Sequence, residues 1–347
     1  VDITEIDQYG LKIMTPENTA PGRLMAAETA QSIGVFAQAA TQQVDADVLG
    51  KPRAIYTIAR GSSDAAANIL SYEFMRELGV PVTSLPPSVF SIGAGVSLEE
   101  AAALVISQSG ASDDLVLSAK GATAQGATVV AITNQPDSAV EVESNMTLSV
   151  CAGPELAVPA TKSVIGSIGA GMALLGALKP GYAFKAKAAA DTVKDLSVQH
   201  PRFGALQSAF LCARHIYVIG RDTGYGTAQE VALKLKECCA LHAEAYSSSE
   251  VLHGPLQLAT NPLMVLMLDT GMAEIQDSLD QAEARFSAVD CDVHRIRISE
   301  FCSDEIAPAA AAAVLLAALY PVILNTALAL GLDPDAPKTL SKVTQTT

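Results

Sequence analysis

The chain has 347 residues, which is enough for two domains with full hydrophobic cores. Half of its residues are hydrophobic and only 17% are charged, a composition that is typical of globular proteins and excludes a disordered chain. The net charge of −15 argues against nucleic acid as a partner, because a phosphate backbone requires clustered Lys and Arg side chains.

The first residues, 1–10, include acidic side chains and no long apolar run, so the sequence predicts no signal peptide. We treat 1–48 as an N-terminal extension. Six cysteines are scattered along the chain without the CxxC spacing of metal sites, and five histidines lie far apart. We therefore expect reduced thiols in a cytoplasmic protein, with no metal and no cofactor.

Short apolar runs that alternate with helical stretches predict two parallel sheets, each covered by helices on both faces. The predicted strands are 54–59, 104–107 and 128–133 in the first half, and 215–220, 263–268 and 293–298 in the second half. A region rich in Lys and Ala, 182–200, predicts a helical connector between the halves. In sheets of this kind, ligands bind beyond the carboxyl ends of the strands.

A nearly continuous apolar segment at 309–331 is long enough to imitate a membrane span. It is rich in alanine, Pro321 interrupts it, and Asn325 and Thr326 lie inside it. We therefore interpret it as a buried helix and expect no association with a membrane.

The two halves of the chain share a pattern that indicates internal duplication. Aligning Arg60 with Arg221, each at the end of a predicted strand, gives an offset of 161 residues, the difference between 221 and 60. The same offset places Ser109 on Thr270, at the end of the next predicted strand in each half. One offset that relates two separate strand ends favours a repeated domain.

A loop rich in hydrogen-bond donors follows the predicted strand at 104–107. Its side chains that can donate to an anion are Ser107, Gln108, Ser109 and Ser112. The following helix would add backbone N–H groups and the positive end of its dipole, so the loop favours a phosphate site. The alternative is a polar turn in which Ser112 caps the helix. The equivalent loop of the second half contains Asp269, which would repel an anion, so we expect one site per chain.

A predicted helix in the second half combines charged and apolar residues. Glu230, Lys234 and Glu237 are spaced i, i+4 and i+7 and share one face. They could form a ladder of surface ion pairs, but the interleaved Ala and Leu residues favour burial, which shifts carboxylate pKa values and suits proton transfer. His253 precedes a Gly-Pro pair in a hydroxyl-rich stretch; a lone histidine is more often structural than catalytic, although this position suits an exposed site.

Seven motifs occur in one order along the chain: ISQSG (106–110), AGPE (152–155), ATK (160–162), ALKLKE (232–237), HAEAY (242–246), HGPL (253–256) and DAPKTLSK (335–342). In this combination the chain resembles the double sugar isomerase (SIS) family, which includes the isomerase module of glucosamine-6-phosphate synthase. The resemblance extends from about residue 52 to 344.

The resemblance implies an α/β fold of two tandem flavodoxin-like SIS domains, at 49–185 and 209–331. It implies a helical connector at 186–208 and a tail at 332–347 that completes the active site. It also implies a homodimer that binds a small sugar phosphate.

The resemblance further implies roles for individual residues. The residues matching the sugar-phosphate site are Ser62, Ser63, Ser107, Gln108, Ser109 and Ser112, with Val158 and Ala160 lining the sugar. The family has a serine where Ala160 stands, so one hydrogen bond to the substrate is missing or replaced.

The catalytic residues of the family also have matches in this sequence. Glu237 matches the base that moves a proton between C1 and C2, with Glu230 and Lys234 as its catalytic support. His253 matches the residue that opens the sugar ring, which in the family enters from the neighbouring subunit. Lys342 matches the tail lysine near the reacting carbonyl, a candidate for Schiff-base formation or ring opening.

The synthase of this family has an N-terminal glutaminase domain with a nucleophilic Cys at its start, whereas no Cys precedes the first predicted strand here. We therefore expect the reverse reaction, in which glucosamine 6-phosphate and water give fructose 6-phosphate and ammonia. The alternatives are a deglycase of fructosamine 6-phosphates, a galactosamine-6-phosphate deaminase/isomerase, and a non-catalytic sugar-phosphate sensor.

Overall fold

The computed structural model describes residues 20–342. Residues 1–19 of the predicted N-terminal extension and 343–347 of the predicted tail lie outside the described residues. Within the described part, nine strands form two sheets in which every pairing is parallel. The predicted α/β fold class is therefore confirmed.

The first sheet has the strand order β2-β1-β3-β4-β5. Its strands are β1 (Ala54–Ile58), β2 (Val82–Ser84), β3 (Ala101–Ser107), β4 (Thr128–Thr133) and β5 (Met146–Ser149). The direction in which the chain adds strands reverses between β1 and β3, and such a switch point leaves a crevice at the carboxyl ends of the two strands. β3 is buried along its whole length, as expected for a central parallel strand.

The second sheet has the order β7-β6-β8-β9 and repeats this arrangement. Its strands are β6 (Ile216–Gly220), β7 (Ala243–Ser247), β8 (Met264–Asp269) and β9 (Asp292–Arg297). The offset of 161 residues relates β6 to β1 and β8 to β3. The six predicted strands are all present within a few residues, and the sequence prediction missed the edge strands β2, β5 and β7.

Twelve α-helices within residues 20–342 cover the sheets and connect them. They are α1 (Arg23–Thr29), α2 (Ser32–Ala40), α3 (Gly61–Leu78), α4 (Ser88–Ser91), α5 (Asp113–Ala124), α6 (Ala139–Val142), α7 (Lys162–Leu178), α8 (Pro180–Val193), α9 (Phe203–Cys212), α10 (Thr223–Cys239), α11 (Gln276–Ser287) and α12 (Pro308–Ala329). The helical part of the predicted connector ends with α8 at Val193, and the chain is not helical again until α9. That stretch contains His200 followed by Pro201, and proline disfavours helical backbone in the residue before it.

The apolar helix α12 lies in the core, as predicted. It is long and apolar enough to cross a membrane, but 83% of its most apolar 18-residue window is buried inside the protein. Its side chains join one hydrophobic cluster with residues of both domains.

Helix α10 packs closely against α3 and so brings the two domains together. The contact depends on Gly226, because a Cβ atom there would lie 2.8 Å from the carbonyl oxygen of Ala65 and 2.6 Å from the side chain of Ile69. This close approach places the polar face of α10 next to the carboxyl ends of β1 and β3.

Candidate active site

A cavity of about 350 Å³ lies at the switch point of the first sheet, between the ends of β1 and β3. Its lining includes ten of the thirteen residues that the sequence predicts for the site: Ser62, Ser63, Ser107, Gln108, Ser109, Ser112, Val158, Ala160, Glu237 and Lys342. These residues come from both domains and from the tail. The cavity is therefore assembled by the tertiary fold from segments that are far apart in the sequence.

The loop after β3 presents hydroxyl groups to the cavity. Its backbone turns at Gly110, which has a φ of +59° and where a Cβ atom would lie 2.2 Å from the hydroxyl of Ser138. The hydroxyl of Ser107 accepts a hydrogen bond from the Gly110 N–H at 3.0 Å. Ser112 stands at the N-cap position of α5, but within the described residues its side chain makes no capping hydrogen bond. The predicted alternative, in which the side chain of Ser112 caps the helix, is therefore not present in the described part of the structure.

Arg60 is a residue of the cavity that the sequence analysis did not assign to the site. It follows β1, lines the cavity, and forms an ion pair at 2.5 Å with the buried carboxylate of Asp114 in the first turn of α5. The carboxylate of Asp114 neutralises this guanidinium, and Arg60 contributes further N–H donors beside the hydroxyl loop. The sequence did contain a signal for this residue: Arg60 directly follows a predicted buried strand, and Arg221 stands at the equivalent position of the repeat.

The equivalent loop of the second domain differs from the expected anion-repelling loop. Asp269 is buried, and its carboxylate accepts hydrogen bonds from Arg295 at 2.7 and 3.1 Å and from Gln276 at 2.9 Å. A structural ion pair, rather than a free carboxylate, thus occupies the end of β8.

The charged face of α10 is buried rather than a surface ladder. The Lys234 ammonium lies 3.2 Å from Glu230, 2.7 Å from Glu237 and 2.7 Å from the hydroxyl of Ser62. The side chains of Glu230 and Lys234 are fully buried behind the cavity, whereas Glu237 is 25% exposed and lines it. Lys234 therefore links the carboxylate at the cavity to the first turn of α3.

The charges on this face are set by burial and by each other. Burial raises the pKa of Glu230 to about 7, and the neighbouring Lys234 opposes that rise. Burial disfavours a charged lysine, but Glu230 and Glu237 together raise the pKa of Lys234 above its usual value. The hydroxyl of Tyr320 on α12 donates to Glu230 at 3.1 Å. Lys234 thus remains a cation at neutral pH and cannot act as a base, and the carboxylate of Glu237 beside it lines the cavity.

The C-terminal tail brings Lys342 to the cavity. Its ammonium donates to the carbonyl oxygen of Ala157 at 2.7 Å and to the carboxylate of Glu155 at 3.2 Å. Earlier in the tail, the backbone carbonyl of Asp335 accepts from the Val158 N–H at 2.9 Å. The tail therefore lies against the loop that contains Val158 and Ala160.

His253 lies apart from the other predicted residues. It ends a short 3₁₀ helix, Glu250–His253, and is exposed. Within residues 20–342 of one chain, it does not line the cavity. Across the same range, no group of three or more His, Cys, Asp and Glu residues is placed to hold a metal ion.

Comparison with known proteins places this chain in one family. The family model of the SIS domain matches residues 49–177 and 209–318, which together exceed half of the chain. Among curated proteins, the glutamine–fructose-6-phosphate aminotransferase (isomerizing) of Methanothermobacter thermautotrophicus is 28% identical over 324 residues, covering 85% of this chain and 52% of that protein. The enzyme of the same name from Sulfurisphaera tokodaii is 31% identical over 250 residues, covering 68% and 41%. The chain thus spans about half the length of the curated relatives it matches.

Solved structures share the whole architecture. A protein from Silicibacter pomeroyi assigned to the phosphosugar isomerases has a TM-score of 0.77 and 30% identity, covering 90% of this chain and 99% of that chain. The C-terminal domain of glucosamine-fructose-6-phosphate aminotransferase from Francisella tularensis has a TM-score of 0.76 at 22% identity, covering 93% and 99%. The glucosamine-6-phosphate deaminase of Thermotoga maritima has a TM-score of 0.72 at 18% identity, covering 93% and 100%, a likeness of fold. The chain therefore belongs to the SIS family, with two SIS domains in tandem, and is homologous to phosphosugar isomerases and to the isomerase domain of glutamine–fructose-6-phosphate aminotransferase.

Proposed function

We propose that this SIS protein is a phosphosugar isomerase that acts on an aminosugar phosphate, converting glucosamine 6-phosphate and water to fructose 6-phosphate and ammonia. The observation that supports it most is Glu237, a carboxylate that lines the cavity while the fully buried Lys234 holds it in place. The names of the aminotransferases that the chain resembles identify fructose 6-phosphate as their substrate, which is the ketose product proposed here.

The phosphate is proposed to bind at the hydroxyl loop after β3. Ser109 and Ser112 present hydroxyl donors there, and the N-terminus of the twelve-residue helix α5 adds backbone N–H groups and a favourable dipole. Arg60 lines the same cavity and, although its charge is paired with Asp114, its guanidinium has further N–H groups that can donate to the phosphate. Local donors of this kind allow a protein with a net charge of −15 to bind a dianion.

The reaction is proposed to proceed through the open-chain sugar. Glu237 removes the proton from C2 of the open-chain aldehyde, the electron pair moves to the C1 oxygen, and this oxygen takes a proton from solvent to give an enolamine with a hydroxyl on C1. The same carboxylate returns its proton to C1, which gives an iminium at C2, and the nitrogen then releases a proton to solvent to leave the imine. Water then adds to the imine, and ammonia leaves to give the ketose. Lys342, whose ammonium lies at the cavity, is placed to act near the carbonyl at C1, either in ring opening or through a Schiff base.

We further propose that the working unit is a homodimer. Ring opening is assigned to His253, which is exposed and lies outside the cavity of its own chain. A second copy could supply this histidine to complete the site. The proposal predicts a dimer in solution and a site shared between two chains.

Removing two hydroxyls from the loop should weaken binding of the sugar phosphate. For Ser109→Ala with Ser112→Ala, we expect a loss of roughly 3–6 kcal/mol, because each hydrogen bond to a charged group contributes about 1.5–3 kcal/mol. Titration calorimetry with glucosamine 6-phosphate measures the loss. Ser208→Ala, on the exposed face of α9, is the control and should bind normally. Unchanged affinity in the double variant would show that the phosphate binds elsewhere.

The substrate and reaction can be tested with a panel of phosphorylated sugars. We expect ammonia release to be fastest from glucosamine 6-phosphate, in a comparison with galactosamine, N-acetylglucosamine and fructoselysine 6-phosphates. Release of lysine from fructoselysine 6-phosphate, with glucosamine 6-phosphate inert, would instead establish a deglycase. Preference for galactosamine 6-phosphate would show that the enzyme acts on this epimer of glucosamine 6-phosphate. The choice between the epimers depends on one or two hydrogen bonds, which we expect near Ala160. If no hexose phosphate exchanged its C1 or C2 proton in deuterated water, the protein would be a sensor.

A further inference from the structure

Glu155 is a buried carboxylate that the proposed reaction does not use. It is 5% exposed and lies in the loop between β5 and α7. One oxygen, Oε1, accepts hydrogen bonds from the backbone N–H groups of Thr161 and Ser163, each at 3.0 Å. This oxygen therefore binds the start of α7 and fixes the loop that lines the cavity.

The second oxygen of Glu155 faces the tail. Oε2 accepts from the hydroxyl of Ser163 at 2.7 Å and from the Lys342 ammonium at 3.2 Å. Burial alone would raise the pKa of Glu155, but Lys342, Ser163 and the backbone N–H groups together lower it below its usual value. The carboxylate is therefore charged at neutral pH and pairs with the ammonium. Only Oε2 contacts Lys342, whereas both backbone N–H groups at the start of α7 donate to Oε1, so the contact with Lys342 can be removed while those two backbone contacts remain.

The short helix α1 holds both the loop and the tail. The carboxylate of Glu28 on α1 accepts from the backbone N–H groups of Leu156 and Ala157, on the loop. At the start of the same helix, the N–H groups of Leu24 and Met25 donate to the Asp335 carboxylate, each at 2.8 Å. The tail and the loop that binds its lysine are thus fixed to one element.

We propose that Glu155 is a positioning residue that holds the Lys342 ammonium at the sugar cavity, with the carbonyl oxygen of Ala157 as the second anchor. A flexible four-carbon side chain on a tail residue has many rotamers, and two fixed acceptors select one of them. The inference rests on the proposed function, because it assigns Glu155 to the positioning of a residue that acts near the substrate carbonyl.

The charge and the shape of Glu155 can be separated by Glu155→Gln. The glutamine oxygen can still accept from Thr161 and Ser163, whereas its amide group donates and so cannot accept from Lys342. Because the phosphate donors lie on another element, we expect kcat to fall roughly 10–100-fold with KM changed less than about threefold.

A double-mutant cycle with Lys342→Met tests whether Glu155 acts through the lysine. If it does, Glu155→Gln should lower the activity of the Lys342→Met variant by less than about twofold. An equal loss in both backgrounds would show that Glu155 acts independently of Lys342 and would overturn the proposal. Normal kcat in the single Gln variant would overturn it as well.

A chemical measurement tests the contact without any substrate. We would label the folded protein with a trace of acetic anhydride and quantify acetylation of Lys342 by peptide mass spectrometry, with Lys338 of the same tail as the internal reference. Since a paired ammonium reacts poorly, Glu155→Gln should raise the Lys342 to Lys338 ratio at least about fivefold. An unchanged ratio would contradict the proposal, and the result stands even if every hexose phosphate proves inert.

A second variant covers the case in which Glu155→Gln does not fold. Glu155→Asp keeps the charge but withdraws the carboxylate by one methylene, so we expect a ratio between those of the wild type and the Gln variant. A wild-type ratio in Glu155→Asp, together with normal kcat, would overturn the positioning role.

Discussion

Glu237→Gln should lower turnover roughly 10²–10⁴-fold and leave binding of the sugar phosphate nearly intact. The substitution preserves the shape of the side chain, and the glutamine oxygen can still accept the hydrogen bond that Lys234 donates at 2.7 Å. It removes the carboxylate that can accept a proton at the cavity. The loss should therefore appear in kcat and in the C1/C2 proton exchange that NMR detects in deuterated water, but not in the calorimetric affinity.

The control for this variant is Glu100→Gln, which removes a carboxylate paired with Arg53 on the surface. Exposed ion pairs of this kind contribute little, so its turnover should match the wild type. If Glu237→Gln turned over normally, the proton would have to be moved by another group. If it lost binding as well as turnover, its main contribution would be to the shape of the cavity.

The position of this carboxylate was partly predictable from the sequence. The spacing of Glu230, Lys234 and Glu237 places them on one helical face, and the interleaved apolar residues indicate burial. The periodicity could not show which of the two carboxylates reaches the cavity. That depends on the packing of α10 against α3 at Gly226, a contact between residues of different domains.

The hydroxyl loop was predictable for a similar local reason. A buried apolar run that stops at Ser107 and continues with donors indicates a strand followed by a polar loop, and parallel sheets place such loops at one edge. The structure has the predicted loop, because the interactions that form it join residues close in sequence, such as the hydrogen bond between Ser107 and Gly110.

Contacts over long sequence distances were not predictable. The bond from Leu24 to Asp335 joins residues 311 apart, and no local pattern marks either as its partner. The short edge strands β2, β5 and β7 were missed for a related reason, because they have three to five residues and depend on pairing with a longer neighbour. The carboxylate of Asp269 correctly indicated that the second loop differs from the first, but its pairing with Arg295, a residue of another strand, could be found only from the fold.

Lys234→Met should destabilise the protein, and the loss should grow with pH. Removing one partner of a buried ion pair typically costs about 3–5 kcal/mol, because the remaining charge is left in the interior without compensation. Here the remaining group is Glu230, whose side chain is fully buried and whose pKa burial raises to about 7 even with Lys234 present. Without the ammonium that lowers it, this pKa should rise further.

The sign of the pH dependence follows from proton binding. A glutamate ionises near pH 4.5 in the unfolded chain, whereas Glu230 keeps its proton to about pH 7 in the folded protein. Between these values the folded state binds more protons, so the contribution of Glu230 to stability falls as pH rises. In Lys234→Met the pH range over which Glu230 keeps its proton in the folded state extends to higher pH. The variant should therefore be less stable than the wild type at low as well as at high pH, because it also loses the contacts of Lys234 with Glu237 and Ser62. Its deficit should grow by up to about 1.4 kcal/mol between pH 5.5 and pH 8, which is one pKa unit for a group that ionises near pH 7 in the wild type and stays protonated in the variant.

Urea unfolding at the two pH values measures this difference, and a second substitution identifies its cause. Lys234→Met with Glu230→Gln removes the buried carboxylate along with the lysine, so it should recover the additional stability that the single variant loses between pH 5.5 and pH 8. An equal loss at both pH values, without recovery in the double variant, would mean that Lys234 contributes packing and its hydrogen bond to Ser62 rather than charge. The recovered double variant should still be slow in turnover. Glu237 would still lack the cation that holds it at the cavity. The double variant would therefore regain stability at high pH without regaining activity, which would show that Lys234 affects the two properties through different carboxylates.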